Sequence, residues 1–343
     1  MSAAWEQGIV DAFLAAAETQ EKIRIRARGR RMLEASTPVR ILDLVPDENA
    51  LLDVHPEDLV VTADARLTIG QLNEVLAKHG QWVPFVAADG HDDSVGGAVS
   101  AGLDTIYRGY GAFHERVLGL TVLTPGFGAI EVGAKVVKNV AGYNLPRLFV
   151  GTRGQLGIIA QVTLKVSPLP AAQRQWVSEG TLEEMTLFAE SGLHEAHPWA
   201  SIRLIRLQDG KPVRATLEWH GIKQTVVHLE SRIGPSQTVE FLPVTPPDGA
   251  SALVALAGGV PRRMMLDLFS RWQGGPLALE WQSGSFFGHL PSERAWEMMI
   301  WVREQRGGIR LLSGPSWEAP RPPALIDAWR RLKAAYDPHG VLG

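Results

Sequence analysis

The segment Lys138-Asn139-Val140-Ala141-Gly142-Tyr143-Asn144, followed by Gly151-Thr152-Arg153-Gly154-Gln155-Leu156-Gly157-Ile158-Ile159, is the stretch best equipped to meet a ligand. Glycines at 151, 154 and 157 run into β-branched residues, the pattern of backbone that turns tightly and then lies flat. Glycine tolerates positive φ and lets a ligand approach the main chain with no Cβ between them. Lys138, Asn139, Tyr143 and Asn144 place polar tips just ahead of that approach. A second glycine segment, Ser94-Val95-Gly96-Gly97, lies upstream. Two such segments flanking one α+β unit can converge on one extended cofactor, although three glycines alone mark a structural turn equally well.

Six cations fall within ten residues at Lys22, Arg24, Arg26, Arg28, Arg30 and Arg31. Such a run is usually a solvated strand face. Like charges on alternate strand positions repel, however, and an anion would relieve that cost. The planar arginine fork suits phosphate because it donates two hydrogen bonds at once.

Other chemistries lack their residues. The 151/154/157 loop is not G-x-G-x-x-G and precedes a strand instead of joining strand to helix, which argues against a plain dinucleotide fold. There is no phosphate loop ending in Gly-Lys-Ser/Thr and no G-x-S-x-G elbow. His194-Glu195-Ala196-His197 has the wrong spacing for H-E-x-x-H and reads as surface, so no metal site is expected. Asp92-Asp93 and Asp47-Glu48 read as loop carboxylates.

The 343-residue chain is long enough for two domains, and its net charge of -3 gives no reason to expect nucleic acid as a partner. No stretch approaches the ~20 apolar residues of a membrane span. The early Glu6 and Asp11 do not read as a secretory signal, so the cytoplasm is the expected compartment. With no cysteine, disulfides, thiol catalysis and cysteine-ligated iron–sulfur clusters are excluded from this chain.

Periodicity supplies the elements that position these residues. Helical spacing predicts a helix over 5–17, and strict alternation predicts a strand over 23–28. Short strands follow at 40–44 and 59–64, and Thr68 caps a helix over 69–78. The residues 94–101 read as a loop entering a helix packed closely through Gly96-Gly97. A hairpin is expected from 117–123 and 129–132 across Thr124-Pro125-Gly126-Phe127-Gly128, then a helix near 145–150 and a strand over 158–166. Ser167-Pro168-Leu169-Pro170 reads as a linker. Nine of the 11 tryptophans lie beyond it. There helices (182–191, 262–272, 293–304) alternate with strands (201–207, 214–220, 277–283), as in a second α+β domain with an antiparallel sheet. A last helix over 325–336 stops at Asp337-Pro338-His339-Gly340.

The stretch from Ile41 to Pro168 resembles the FAD-binding domain of the vanillyl-alcohol oxidase and p-cresol methylhydroxylase (PCMH) group. Leu59-Val60-Val61-Thr62-Ala63-Asp64-Ala65, Gln71-Leu72 and Ser94-Val95-Gly96-Gly97 come in that family's order. Residues 133–145, and the ending from Arg331 to Leu342, are similar to the family of smaller FAD-binding subunits of bacterial glycolate oxidase. The resemblance implies an α+β, PCMH-type fold: a helix over 1–20, an FAD-binding domain of two α+β subdomains over 21–170, an α+β cap with an antiparallel sheet over 171–320, and a helix over 321–343 returning to the FAD domain. It implies non-covalent FAD held by Arg26, Arg28, Gly29, Arg30, Ser94, Val95, Gly96, Gly97, Gly102, Lys138, Asn139, Gly142, Tyr143, Asn144, Gly151, Thr152, Gly154, Gly157 and Ile158.

The chain departs from the family at three places. Where the family carries a glycine-rich pyrophosphate loop, Arg26-Ala27-Arg28-Gly29-Arg30-Arg31 keeps one glycine, and Arg66 stands where glycine is preferred. Either arginines replace amides as phosphate ligands, or the fold has been kept by a structural subunit without flavin. The H-G-D-G-N-x-H kind of histidine cluster is also missing, so no catalytic residue is nominated. The implied role is an accessory FAD-binding subunit of a 2-hydroxy-acid oxidoreductase complex. Its partners would be a larger FAD-binding hydroxy-acid dehydrogenase subunit and an iron–sulfur subunit, with any peripheral membrane association made through them.

Overall fold

The computed structural model describes residues 4–28, 38–45, 50, 52–134, 144–194, 198–246, 253–313 and 323–343. Two antiparallel sheets organise them. The first has five strands in the order Leu52–His55, Val60–Asp64, Ile158–Lys165, Val117–Thr124 and Gly128–Gly133. Side chains alternate across it with the two-residue period of a strand. Val122, Ile159 and Val162 face the core beneath the helices Ile69–Ala77 and Val95–Ala101, while Leu123, Ile158 and Ala160 face the N-terminal helix Ala4–Thr19. That helix buries Ile9, Phe13 and Ala16 on one stripe.

Local signals set the element ends. Thr68 and Gln71 form a reciprocal capping box, with Gln71 N–H on Thr68 Oγ1 at 3.1 Å and Thr68 N–H on Gln71 Oε1 at 2.9 Å. Strand Ile23–Arg26 is shorter than its alternation suggests and pairs in parallel with Arg40–Asp43. Backbone bonds from Ile23 N to Val341 O (2.6 Å) and from Gly343 N to Ile23 O (2.9 Å) stitch its other edge to the chain's end.

Residues 167–170 are more than a spacer: Ser167-Pro168 pairs with Gln81-Trp82. Beyond it lies a sheet of seven strands in the order Ala172–Gly180, Val213–Gly221, Ser201–Arg206, Leu277–Glu280, Ser285–Pro291, Leu253–Gly259 and Gly308–Leu311. One face, with Ile202, Leu204, Leu217, Leu279 and Phe286, packs on helices Leu182–Leu193, Lys223–Ile233, Met265–Arg271 and Ser292–Glu304. From the opposite face Ile205, Ala255, Ala278, Phe287 and Leu312 join the core of the first sheet. Trp82, Tyr107 and Tyr110 surround His220 at centroid distances of 5.6, 5.0 and 5.7 Å and close the same joint.

Candidate functional site

The larger cleft, about 160 Å³, opens where strand Ile23–Arg26 crosses the helix Val95–Ala101 and the turn at Gly154. Ser94 caps that helix, its Oγ accepting from Gly97 N–H at 3.2 Å. The preceding amides are also engaged, Val95 N on Leu67 O (2.8 Å) and Gly96 N on Ala65 O (2.9 Å). The seven-residue helix therefore offers a smooth wall in place of a ring of free donors.

Two kinds of glycine meet here. A Cβ at Gly96 would lie 2.5 Å from Ala65 Cβ, so Gly96 lets the helix press onto the sheet. Gly154, at φ +78°, would carry its Cβ into open space, with Gly157 O the nearest atom at 4.0 Å. Gly154 thus leaves main chain exposed to whatever enters.

The cleft is cationic although the chain is net negative. Arg24, Arg26, Arg28 and Arg153 line it against one carboxylate, Asp93. Arg26 is paired with Asp43 (Nε–Oδ1 2.5 Å, Nη2–Oδ2 2.8 Å), whose carboxyl lies below its ordinary pKa, chiefly through that hydrogen bond. Arg28 is exposed at the rim. Ile25, Leu44, Ala65, Ile158 and Ile159 make the apolar side. Lys333 Nζ anchors the adjoining Gln155 carbonyl at 2.7 Å and forms an ion pair with buried Asp337 at 2.8 Å. An elongated molecule with an apolar ring system and a charged diphosphate matches this division of the wall.

The residues nominated from the sequence are distributed as follows. Arg26, Arg28, Ser94, Gly96, Gly97, Gly154 and Ile158 line the cleft. Val95 is buried in the core of the first sheet instead. Gly151 (N–H on Val99 O, 3.0 Å) and Thr152 (Oγ1 on Phe149 O, 2.9 Å) form a structural turn. A Cβ at Gly157 would lie 2.5 Å from Val122 Cγ1, so its role there is packing. Gly102 lines a second, separate cleft. Asn144 is exposed and stands off both. Gly29, Arg30, Lys138, Asn139, Gly142 and Tyr143 lie outside the described residues.

Arg66 is turned away from the cleft. It is 6% exposed and grips Asp64 with Nε at 2.9 Å and Nη2 at 2.7 Å, beneath the ring of Trp5 at 4.5 Å. Its guanidinium therefore does not close the slot. Sequence reasoning missed Leu44 and Gly343 on the wall, which long-range pairing brings there, and Asp93, which it read as a loop carboxylate although it adjoins Ser94. Among the described residues, His55, Glu57 and Asp58 bring ligand atoms within 4.8 Å of one another, a partly exposed group with nothing further to suggest an ion.

Comparison with known proteins agrees with this geometry. The sequence matches the FAD binding domain family over residues 3–132. It is 28% identical over 307 residues to glycolate oxidase subunit GlcE of Escherichia coli K12, covering 85% of this chain and 82% of that one. It is 27% identical over 186 residues to glycolate oxidase subunit GlcD of Bacillus subtilis, covering 49% of this chain and 39% of that one. In fold it is similar to alkyldihydroxyacetonephosphate synthase, with a TM-score of 0.68 at 12% identity over 98% of this chain and 74% of the other. Arginine-flanked walls meeting glycine turns, an α+β unit followed by an antiparallel cap, and the matches above agree: the chain carries a stretch that matches the FAD binding domain family and is similar along most of its length to glycolate oxidase subunit GlcE.

Proposed function

We propose that the chain is an FAD-binding subunit of a glycolate-oxidase-like complex acting on 2-hydroxy acids. The observation that carries this reading is the cationic, glycine-lined cleft between Arg24–Arg28 and the Ser94–Gly97 turn. Arg28 is placed to meet a phosphate, Gly154 leaves room at the main chain, and Ile158 and Ile159 supply an apolar wall. FAD bound there supplies the capacity to accept two electrons, while the protein positions it and sets its surroundings.

The relatives named as glycolate oxidase subunits support partners within a complex. A larger flavin subunit and an iron–sulfur subunit suit a chain that has no cysteine of its own. Among the described residues no helix is long and apolar enough to cross a membrane, and we assign the complex to the cytoplasm. Glycolate-dependent dye reduction is expected from the assembled complex and lost when this chain is omitted. Full activity without it would contradict the reading.

A further inference from the structure

A second cleft, about 80 Å³, lies at the joint between the sheets. The end of one short helix divides it from the first: Ser100 and Ala101 line the larger cleft, Gly102 and Leu103 the smaller. Its floor is Arg203, in the middle of strand Ser201–Arg206 and directly across from Thr216 and Glu280 on the neighbouring strands. We propose that this second cleft binds a small carboxylate anion, a two- or three-carbon acid, seated on the Arg203 guanidinium.

Arg203 is 1% exposed, and its Nε, Nη1 and Nη2 have no hydrogen-bond partner. Leaving buried donors unmade is costly, most of all for charged groups. The nearest carboxylate, Glu218, stands 3.9 Å from Nη2, beyond hydrogen-bond range. Glu218 is already held by His220 Nε2 at 2.9 Å, and His220 Nδ1 meets Tyr110 Oη at 3.1 Å. Phe241 covers one side of the guanidinium, its ring centroid 5.6 Å from Cζ. What remains is a buried planar fork facing a cavity, the geometry that takes a carboxylate through two parallel hydrogen bonds.

The rest of the lining suits a small anion. Arg310 stands at the mouth, its Nη1 donating to Gly102 O. Asp104 is paired with Arg108 at 2.5 Å. Glu280 accepts from Ile202 N (3.2 Å), Ser283 N (2.9 Å) and Ser283 Oγ (2.7 Å), which occupies both its oxygens. Burial raises its pKa to about 7, which weakens its opposition to an incoming negative charge. Ala87, Ala88, Ala257 and Ala278 leave space for a short carbon chain but none for a nucleotide.

The inference goes beyond the FAD reading and is tested apart from it. Glycolate is titrated calorimetrically into the full chain, with and without FAD, beside its neutral isostere glycolamide. Saturable glycolate binding is expected, with glycolamide weaker by about tenfold or more. Arg203→Met should remove the glycolate response, Arg203→Lys should retain part of it, and Arg330→Met, at an exposed position outside both clefts, should leave it unchanged. Equal binding of glycolate and glycolamide, or no binding of either, would overturn the proposal, as would a folded Arg203→Met chain that binds like wild type. Should Arg203→Met not fold, the wild-type comparison of the two ligands and an Arg310→Met chain with weakened glycolate binding decide. FAD uptake, followed separately by flavin fluorescence, shows whether any failure belongs to this site or to the cofactor cleft.

Discussion

The two clefts lie on either side of one helix end and are built in opposite ways. In the larger, the polar groups at the helix start are already satisfied: the Val95, Gly96 and Gly97 amides all have partners. What it offers a ligand is shape, missing side chains and cations around a rim. In the smaller, a fully buried guanidinium is left without hydrogen bonds while small side chains hold space open above it. A site made by subtraction tolerates many contacts; a site made by an unsatisfied charge asks for one kind of partner. An extended dinucleotide suits the first, a compact anion the second.

The comparison can be broken at several points. The largest effect is expected from Gly96→Val. Its Cβ would lie 2.5 Å from Ala65 Cβ and 3.1 Å from Ala65 O, so helix and sheet must separate. A loss of about 3 kcal/mol or more is expected in denaturant unfolding, with FAD binding lost as well. Next comes Asp64→Asn, which removes the negative charge gripped by the buried Arg66 at a cost of about 3 kcal/mol. Because Arg66 faces away from the cleft, FAD affinity at a temperature where the variant is folded should match wild type. For the same reason Arg66→Gly should destabilise the chain without strengthening FAD binding.

Glu280 sharpens the contrast through pH. Its folded pKa, raised by burial from 4.5 to about 7, makes the native state hold a proton that the unfolded chain has already released between those values. Its contribution to stability therefore falls as pH rises from about 4.5 to about 7 and levels off above, by at most about 3 kcal/mol. Thermal melts of wild type and Glu280→Gln across that range should show the variant lacking this part of the decline, even though its amide suits the Ile202 and Ser283 donors less well. The smallest effect is expected at Gly154. Gly154→Asn keeps a residue that accepts positive φ but fills open space in the larger cleft. FAD binding should weaken about tenfold with the melting temperature nearly unchanged.

The same contrast explains what the sequence made legible. Alternation at Ile23-Arg24-Ile25-Arg26, the Thr68 cap and the hairpin around Phe127 are local signals, and the structure has those elements with ends moved by a residue or two. The glycine segments were visible for the same reason, although spacing alone could not separate Gly96 and Gly157, which pack, from Gly154, which faces the cleft. Strands Leu253–Gly259 and Ser285–Pro291 escaped notice because their short, small or apolar residues lack a two-residue polar alternation. Strand Ala172–Gly180 and helix Lys223–Ile233 were also missed; the helix is polar overall and buries only Val226 and Leu229. Arg203 was the least readable. In Ile202-Arg203-Leu204-Ile205-Arg206 it looks like any solvent-facing strand cation. Only pairing with Glu280, far along the chain, and the docking of the first sheet turn it inward.

The most direct measurement is to denature the purified full chain, isolated alone and from its complex, and identify the small molecule released by absorbance and mass spectrometry, then to titrate FAD into the stripped protein. Release of FAD, with saturable rebinding that Gly154→Asn weakens, is the predicted result. A chain that releases no flavin from either preparation and takes up none when FAD is added in excess would contradict the assignment.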